Sequence, residues 1–345
     1  LKFYQSILVT GGAGFIGSNF VRHIMTNYPD CRVTVLDALT YAGNLENLVG
    51  LEDDERFTFI KGTICERADV RKAIKGCEAV FNFAAETHVD RSIHEAGSFI
   101  HTDVFGTYTL LAEALEAGIE RFIQISTDEV YGSATSSGFH EDSPLKPGNP
   151  YSASKCGGDL MTLAFQNTYG LPVLITRSSN NFGSYQHVEK FIPLFVTNTI
   201  EGKDLPLYGD GMHERDWIYV EDNCRAIVQV AMKGKVGEIY NIAVGKSQPN
   251  LVVAERILDI LGAPKSRIVF VEDRKGHDRI YALDASKIKE LGWKAETDFD
   301  DALEKTVLWY KDNEEWWRRV KSGAFREYYE THYAKKLKEG KARRS

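Results

Sequence analysis

The stretch ILVTGGAGFIG, residues 7–17, decides the fold. Its first four residues read as a buried strand, and Phe15, Ile16, Phe20, Val21 and Ile24 then recur on one face of a helix. Between strand and helix, Gly11, Gly14 and Gly17 stand three apart. Glycines so placed let the chain turn tightly, bring amides up to a pyrophosphate at a helix N-terminus, and let helix pack closely on strand. A purely structural turn needs no more than the glycines themselves, so the context decides. Asp37 closes the next strand, 20 residues beyond Gly17, where a carboxylate accepts from ribose hydroxyls and repels a 2′-phosphate. That spacing predicts a dinucleotide site and favours NAD over NADP. A helix-capping role for Asp37 has less support, because Ala38 and Leu39 open no helical pattern.

Outward from this motif, β-branched runs alternate with helical patterns, as they do in a βαβ sheet. Runs at 7–10, 33–37, 57–62, 79–84, 122–126 and 173–177 read as six buried parallel strands. The stretch 98–117 reads as a helix with Phe99, Val104, Tyr108, Leu111 and Leu115 on its apolar side, stopped by Gly118. Beyond residue 180 the alternation fails, returns as a helix and strand at 217–245, and gives way to short elements punctuated by Gly262, Pro264, Gly276 and Gly292. The expectation is an α/β chain: a Rossmann-type doubly wound parallel sheet from 1–180 plus 216–245, and a smaller α+β substrate-binding lobe from 181–215 plus 246–325. A basic tail, 326–345, reads as a solvated helix.

A length of 345 residues suits two lobes at about 150 residues per domain. Apolar residues at 43% and charged residues at 26% exclude a disordered or fibrous chain. The formal charge of −7 leaves no broad cationic face for nucleic acid. Five dispersed cysteines with no CxxC spacing suggest free thiols and no metal site. No apolar run reaches the roughly 18 residues of a membrane span, and a strand within the first ten residues leaves no room for a leader, so a cytoplasmic protein is expected.

Two further motifs carry chemistry. YSASK places Tyr151 and Lys155 at i and i+4 on one helix face. An ammonium beside a phenol, with a cationic nicotinamide nearby, is expected to draw the phenol toward neutrality and make it a base for an alcohol. A surface pair is the alternative. STDEVYG follows the fifth strand, at the sheet edge where α/β proteins bind ligands. There Thr127 can donate to a substrate hydroxyl, while adjacent Asp128 and Glu129 repel each other, so that one stays protonated as an acid and the other serves as a base. A capping Asp followed by a solvated Glu is the plainer alternative. Thr87 follows the fourth strand, where His88 reads as a packing or hydrogen-bonding residue. Asn180, Asn181 and Lys190 mark the crossing between lobes, and Arg215, Arg274, His277 and Arg279 offer cations for a diphosphate.

GGAGFIG, LDALTYAGN (36–44), AAETHVDRS (84–92), STDEVYG, PYSASK (150–155), SSNNFGSYQHVEKFIP (178–193), RDWIYVED (215–222) and GHDRIYALDASKIKELGW (276–293) closely resemble the dTDP-glucose 4,6-dehydratases, extended short-chain dehydrogenases/reductases. The resemblance runs from residue 7 to about 317, and the Asp-Glu pair separates these enzymes from sugar 4-epimerases. It implies an NAD held through turnover against Gly11, Gly14, Phe15, Ile16, Gly17, Asp37, Leu39, Thr40, Gly43, Thr63, Ile64, Ala84, Ala85, Tyr151 and Lys155. It also implies a triad of Thr127, Tyr151 and Lys155, with Asp128 as acid and Glu129 as base. Thr87, Thr127, Asn180, Lys190, Arg215, Asn250, His277 and Tyr281 would hold a nucleotide sugar, and a homodimer would form on the helices that follow Ser98 and Tyr151. The implied reaction is C4 oxidation, loss of water across C5 and C6, and hydride return to C6. UDP-glucose 4,6-dehydratase, a nucleotide-sugar 4-epimerase and a noncatalytic dinucleotide sensor are the rivals; thymine and uracil differ by one methyl, worth about 1–3 kcal/mol in an apolar pocket.

Four positions depart from the family pattern. Thr63 stands where Gly-Asp-Ile carries its carboxylate, Asp103 replaces an asparagine, Cys156 an alanine and Ser184 a proline.

Overall fold

The structure, a computed structural model, describes residues 3–133, 138–273, 282–322, 329, 333 and 336–342. Its strands are β1 (Ser6–Thr10), β2 (Arg32–Asp37), β3 (Phe57–Lys61), β4 (Ala79–Asn82), β5 (Arg121–Thr127), β6 (Val173–Ser178), β7 (Asn180–Phe182), β8 (Leu205–Tyr208), β9 (Glu214–Tyr219), β10 (Ile239–Ile242), β11 (Ser247–Pro249) and β12 (Ile268–Val271). Seven of them form one parallel sheet in the order β10-β6-β5-β4-β1-β2-β3. The first six are the runs read from the sequence. All but the edge strand β3 are largely buried because helices cover both faces, and the chain reverses its direction of travel between β1 and β4, which opens a crevice at the carboxyl ends of the strands.

Helices Phe15–Asn27 and Val220–Lys233 pack on one face around Phe20, Ile24, Phe81 and Ile227. Arg67–Ile74, Thr107–Glu116 and Pro150–Tyr169 cover the other around Val80, Leu111 and Phe122. A separate core of Phe182, Phe195, Trp217, Tyr310 and Trp317 builds the second lobe. There β7, β9 and β11 form a three-stranded sheet, and β8 pairs with β12. Helices Phe191–Ile200, Asn250–Ile260 and Phe299–Asp312 surround them.

Three features differ from the sequence reading. The 98–117 helix carries a π-helical stretch, Ile100–Gly106, and although Phe99 and Leu111 are buried, Tyr108 and Leu115 are exposed. Each π-turn takes more residues than an α-turn, so apolar positions counted at period 3.6 drift off the buried face. Leu283, Ala285, Ile288 and Trp293, read as part of the smaller lobe, pack into the core beside the large sheet. The tail is no free solvated helix: Tyr333 is only 6% exposed and belongs to the second core, with Tyr329 and Leu337 against it. None of the described helices is long and apolar enough to cross a membrane.

Candidate active site

A cleft runs along the carboxyl ends of β1, β2, β4 and β5, and its walls match the dinucleotide motif. Gly11 sits at φ +66°, and a Cβ there would lie 2.6 Å from Ala84 N; one on Gly17 would lie 2.3 Å from the Gly11 carbonyl. Backbone and helix therefore approach as only glycine allows, and the helix that starts at Phe15 has no acidic residue in its first turn to compete with an anion. Asp37 is buried at the end of β2, where its Oδ2 accepts from Ala13 N at 2.9 Å and its Oδ1 from Leu39 N at 2.8 Å. Burial raises its pKa, and those two amides oppose the rise. Thr40, Gly43, Thr63, Ile64, Ala84 and Ala85 line the same cleft; Leu39, expected there, is not among its walls and instead donates its amide to Asp37. Thr63 Oγ1 accepts from Cys65 N at 3.2 Å.

Tyr151 and Lys155 enter this cleft from the first turns of the helix Pro150–Tyr169. A reciprocal cap fixes that helix: Ser152 N donates to Asn149 Oδ1 at 2.9 Å, and Asn149 N to Ser152 Oγ at 3.2 Å. Lys155 is buried, and its Nζ donates to Ile125 O at 2.7 Å. The expected drop of the phenol toward neutrality included the charge of a nicotinamide, and the protein groups alone act in the opposite direction. Burial, and after it the negative charges of Glu129, Asp103 and Asp128, push Tyr151 well above the ordinary phenol value, with the Thr127 hydrogen bond opposing.

At the end of β5, Thr127 Oγ1 donates to Asp128 Oδ1 at 3.2 Å and accepts from Glu129 N at 3.2 Å. Asp128 is 4% exposed, and burial, followed by the charge of Glu129, pushes it up to about 8. A carboxyl so placed is neutral at pH 7 and can give up a proton. Its Oδ2 has no hydrogen-bond partner among the described residues.

Glu129 opens on the other side into a second chamber, between the sheet edge and the smaller lobe. Asn180, Arg215 and Asn250 line it, and the buried side-chain oxygens of both asparagines find no partner among the described residues. Lys190 and Gln186 line both cavities, so the two meet there. Lys190 Nζ donates to Thr87 Oγ1 at 3.2 Å across the junction. Arg274, His277, Arg279 and Tyr281 lie outside the described residues. The sequence reading quoted Gln186 and His187 within a motif without nominating either, though both line the cofactor cleft. Tyr333, a wall of the second chamber, carried no signal at all, since the tail offers no motif around it. His88 is buried in that same wall at φ +84°, and burial brings its pKa down to about 4.

A family model described as GDP-mannose 4,6 dehydratase matches residues 8–306. A dTDP-glucose 4,6-dehydratase of an Actinoplanes species is 49% identical over 319 residues, covering 91% of this chain and 100% of the relative. The chain belongs to the dTDP-glucose 4,6-dehydratase family. The low-salt glycan biosynthesis protein Agl12 of Haloferax volcanii is 52% identical over 311 residues, 90% of this chain and 100% of its own length. A dTDP-glucose 4,6-dehydratase of Streptomyces venezuelae, DesIV, solved with NAD bound, superimposes with a TM-score of 0.89 at 50% identity, over 91% of this chain and 99% of that one.

Proposed function

We propose that the chain is a hydro-lyase that dehydrates dTDP-glucose to the 4-keto-6-deoxy sugar with a resident NAD. The observation that carries this reading is the split of the β5 edge. A carboxyl kept neutral (Asp128) and a second carboxyl facing the sugar chamber (Glu129) adjoin a phenol and ammonium (Tyr151 and Lys155) facing the dinucleotide cleft. The glycine cradle at Gly11 and Gly17 and the carboxylate of Asp37 fit a dinucleotide with a free 2′-hydroxyl.

NAD, when bound, takes the C4 hydride and returns it to C6. Tyr151, its charge set by Lys155 and the nicotinamide, takes the C4 hydroxyl proton, and Thr127 orients that hydroxyl. The resulting ketone acidifies the C5–H bond. Glu129 removes the C5 proton while Asp128 protonates the C6 hydroxyl, which leaves as water. After hydride reaches C6, a proton returns to C5, so sugar and cofactor end with no net change in oxidation state. Asn180, Arg215 and Asn250 hold the nucleoside diphosphate with Lys190 and Thr87, and burial of the site keeps water from the enone. The buried carboxyl pair favours this reading over a 4-epimerase, which removes no water and has no use for a second acid and base.

The five cysteines are all free, which suits a reducing, cytoplasmic compartment. Exposed apolar residues on the helices that follow Ser98 and Tyr151 support a homodimer.

Glu129→Gln tests the assignment. Supplied with dTDP-glucose, the variant should still form NADH, seen by absorbance, while the 4-keto-6-deoxy product falls by about 10²–10⁴-fold. Product formation at the parental rate would remove Glu129 as the base. UDP-glucose in a parallel assay reads the preference for the base.

A further inference from the structure

The C-terminal segment reaches the sugar-nucleotide chamber. Tyr333 is buried and lines the chamber together with Pro206, Leu207 and Tyr208 of β8. Its ring lies 6.2 Å from that of Tyr208 at 41°, and 5.3 Å from that of Tyr329. Several contacts dock this segment onto the second lobe. The Tyr329 hydroxyl accepts from Asn198 Nδ2 at 3.0 Å, and Lys336 Nζ stands 4.9 Å from the centre of the Tyr208 ring. Lys341 pairs with Asp204, and Gly340 lies so close to β12 that a Cβ would fall 2.4 Å from Phe270 O.

Glu129 brings to the chamber wall the carboxyl proposed to act on the sugar, and Asn180, Arg215 and Asn250 carry polar groups suited to a diphosphate. A nucleotide sugar runs from sugar through diphosphate to nucleoside, so its base needs a third part of the wall. The other walls are mixed: His88, Asp90 and Glu189 are polar or charged, whereas the part where Tyr333 lies near Tyr208, beside Pro206 and Leu207, is aromatic and apolar and suits the base. Tyrosine rings at a desolvated site take up a flat heterocycle by stacking and edge contact.

We infer that Tyr333 is a binding residue for the base of the substrate, so that the C-terminal segment completes the nucleotide site of this enzyme. The inference rests on the reading of the chamber as a nucleotide-sugar site. It assigns to Tyr333 an effect on nucleotide affinity and none on the chemical steps.

The test titrates dTDP into the full-length, NAD-loaded protein by calorimetry. Tyr333→Ala and Tyr333→Leu should each weaken binding about tenfold. Leucine separates a missing ring from a missing anchor, because it keeps the apolar bulk that holds the segment down. Tyr333→Phe, which retains the ring, should bind within about twofold of the parent, as should Lys338→Ala at an exposed position. In turnover with dTDP-glucose, the alanine and leucine variants should raise KM with little change in kcat. Parental affinity in both variants would overturn the assignment, and so would full affinity in the leucine variant alone, which would make Tyr333 an anchor. A parent protein that fails to bind dTDP would sink the nucleotide-sugar reading as well, whereas a parent that binds and variants that bind equally would sink only the role of Tyr333.

Discussion

Asp103 is buried between two elements that carry the site. Its Oδ1 accepts from Glu86 N at 2.9 Å, in the loop after β4, and its Oδ2 from Ser154 Oγ at 2.5 Å, next to Lys155. Burial pushes this carboxyl up to about 6, with the charge of Lys155 opposing. The sign of its effect on the base is clear: ionised Asp103 is one of the negative charges that raise Tyr151. Below about pH 6 Asp103 is protonated and that contribution vanishes; above it the phenol is harder to ionise. Asp103→Asn should therefore move the acid limb of the kcat/KM profile to lower pH and remove an inflection near pH 6. An unchanged profile would show that Tyr151 does not feel this charge. Asparagine preserves the acceptor for Glu86 N, so the protein should remain folded and the profile readable.

The glycines, Asp37, Tyr151 and the Asp128–Glu129 pair were legible in the sequence because phosphate approach, ribose recognition and proton transfer each require a residue type at a fixed distance from a strand end. The contacts of Asp103 were not legible, since a π-turn sets them. Helices Ile100–Gly106 and Pro150–Tyr169 approach so closely that a Cβ on Gly158 would lie 2.8 Å from Asp103 O, and one on Gly157 2.7 Å from a Val104 methyl. Backbone cannot move aside as a side chain can. Gly158→Ala should cost about 1–3 kcal/mol, read as a lowered thermal midpoint, and should reduce turnover because Ser154 and Lys155 sit on the helix that must shift. If the variant is as stable as the parent, the close approach of the two helices is not tight. Strands were easier to read than this helix: a strand buried on both faces is a continuous apolar run whatever its register, whereas a helix face read at period 3.6 is lost after one irregular turn.

For the molecule as a whole, the helices that carry Asp103, Tyr151 and Lys155 also present an exposed apolar patch. Ile100, Phe105, Tyr108, Leu160 and Tyr169 are each more than 40% exposed. Phe105, Tyr108, Phe165 and Tyr169 form a chain of ring contacts with centroids 5.0–6.1 Å apart. A patch of that kind calls for a partner, and a second copy of the same helix pair would satisfy it by symmetry. Leu160→Asp should convert a species of twice 38.8 kDa into one of 38.8 kDa in light scattering. A monomeric parent, or a variant that stays dimeric, would place the interface elsewhere or deny it. The docking of the last helix on β8 and β12 has a practical side for anyone who makes this protein. An affinity tag at the C-terminal end would follow a helix whose Gly340 abuts Phe270 of β12 and whose Lys341 pairs with Asp204, while one at the N-terminal end would precede β1 at the amino edge of the sheet, opposite the cleft. The second position is the one that spares binding measurements an artefact of cloning.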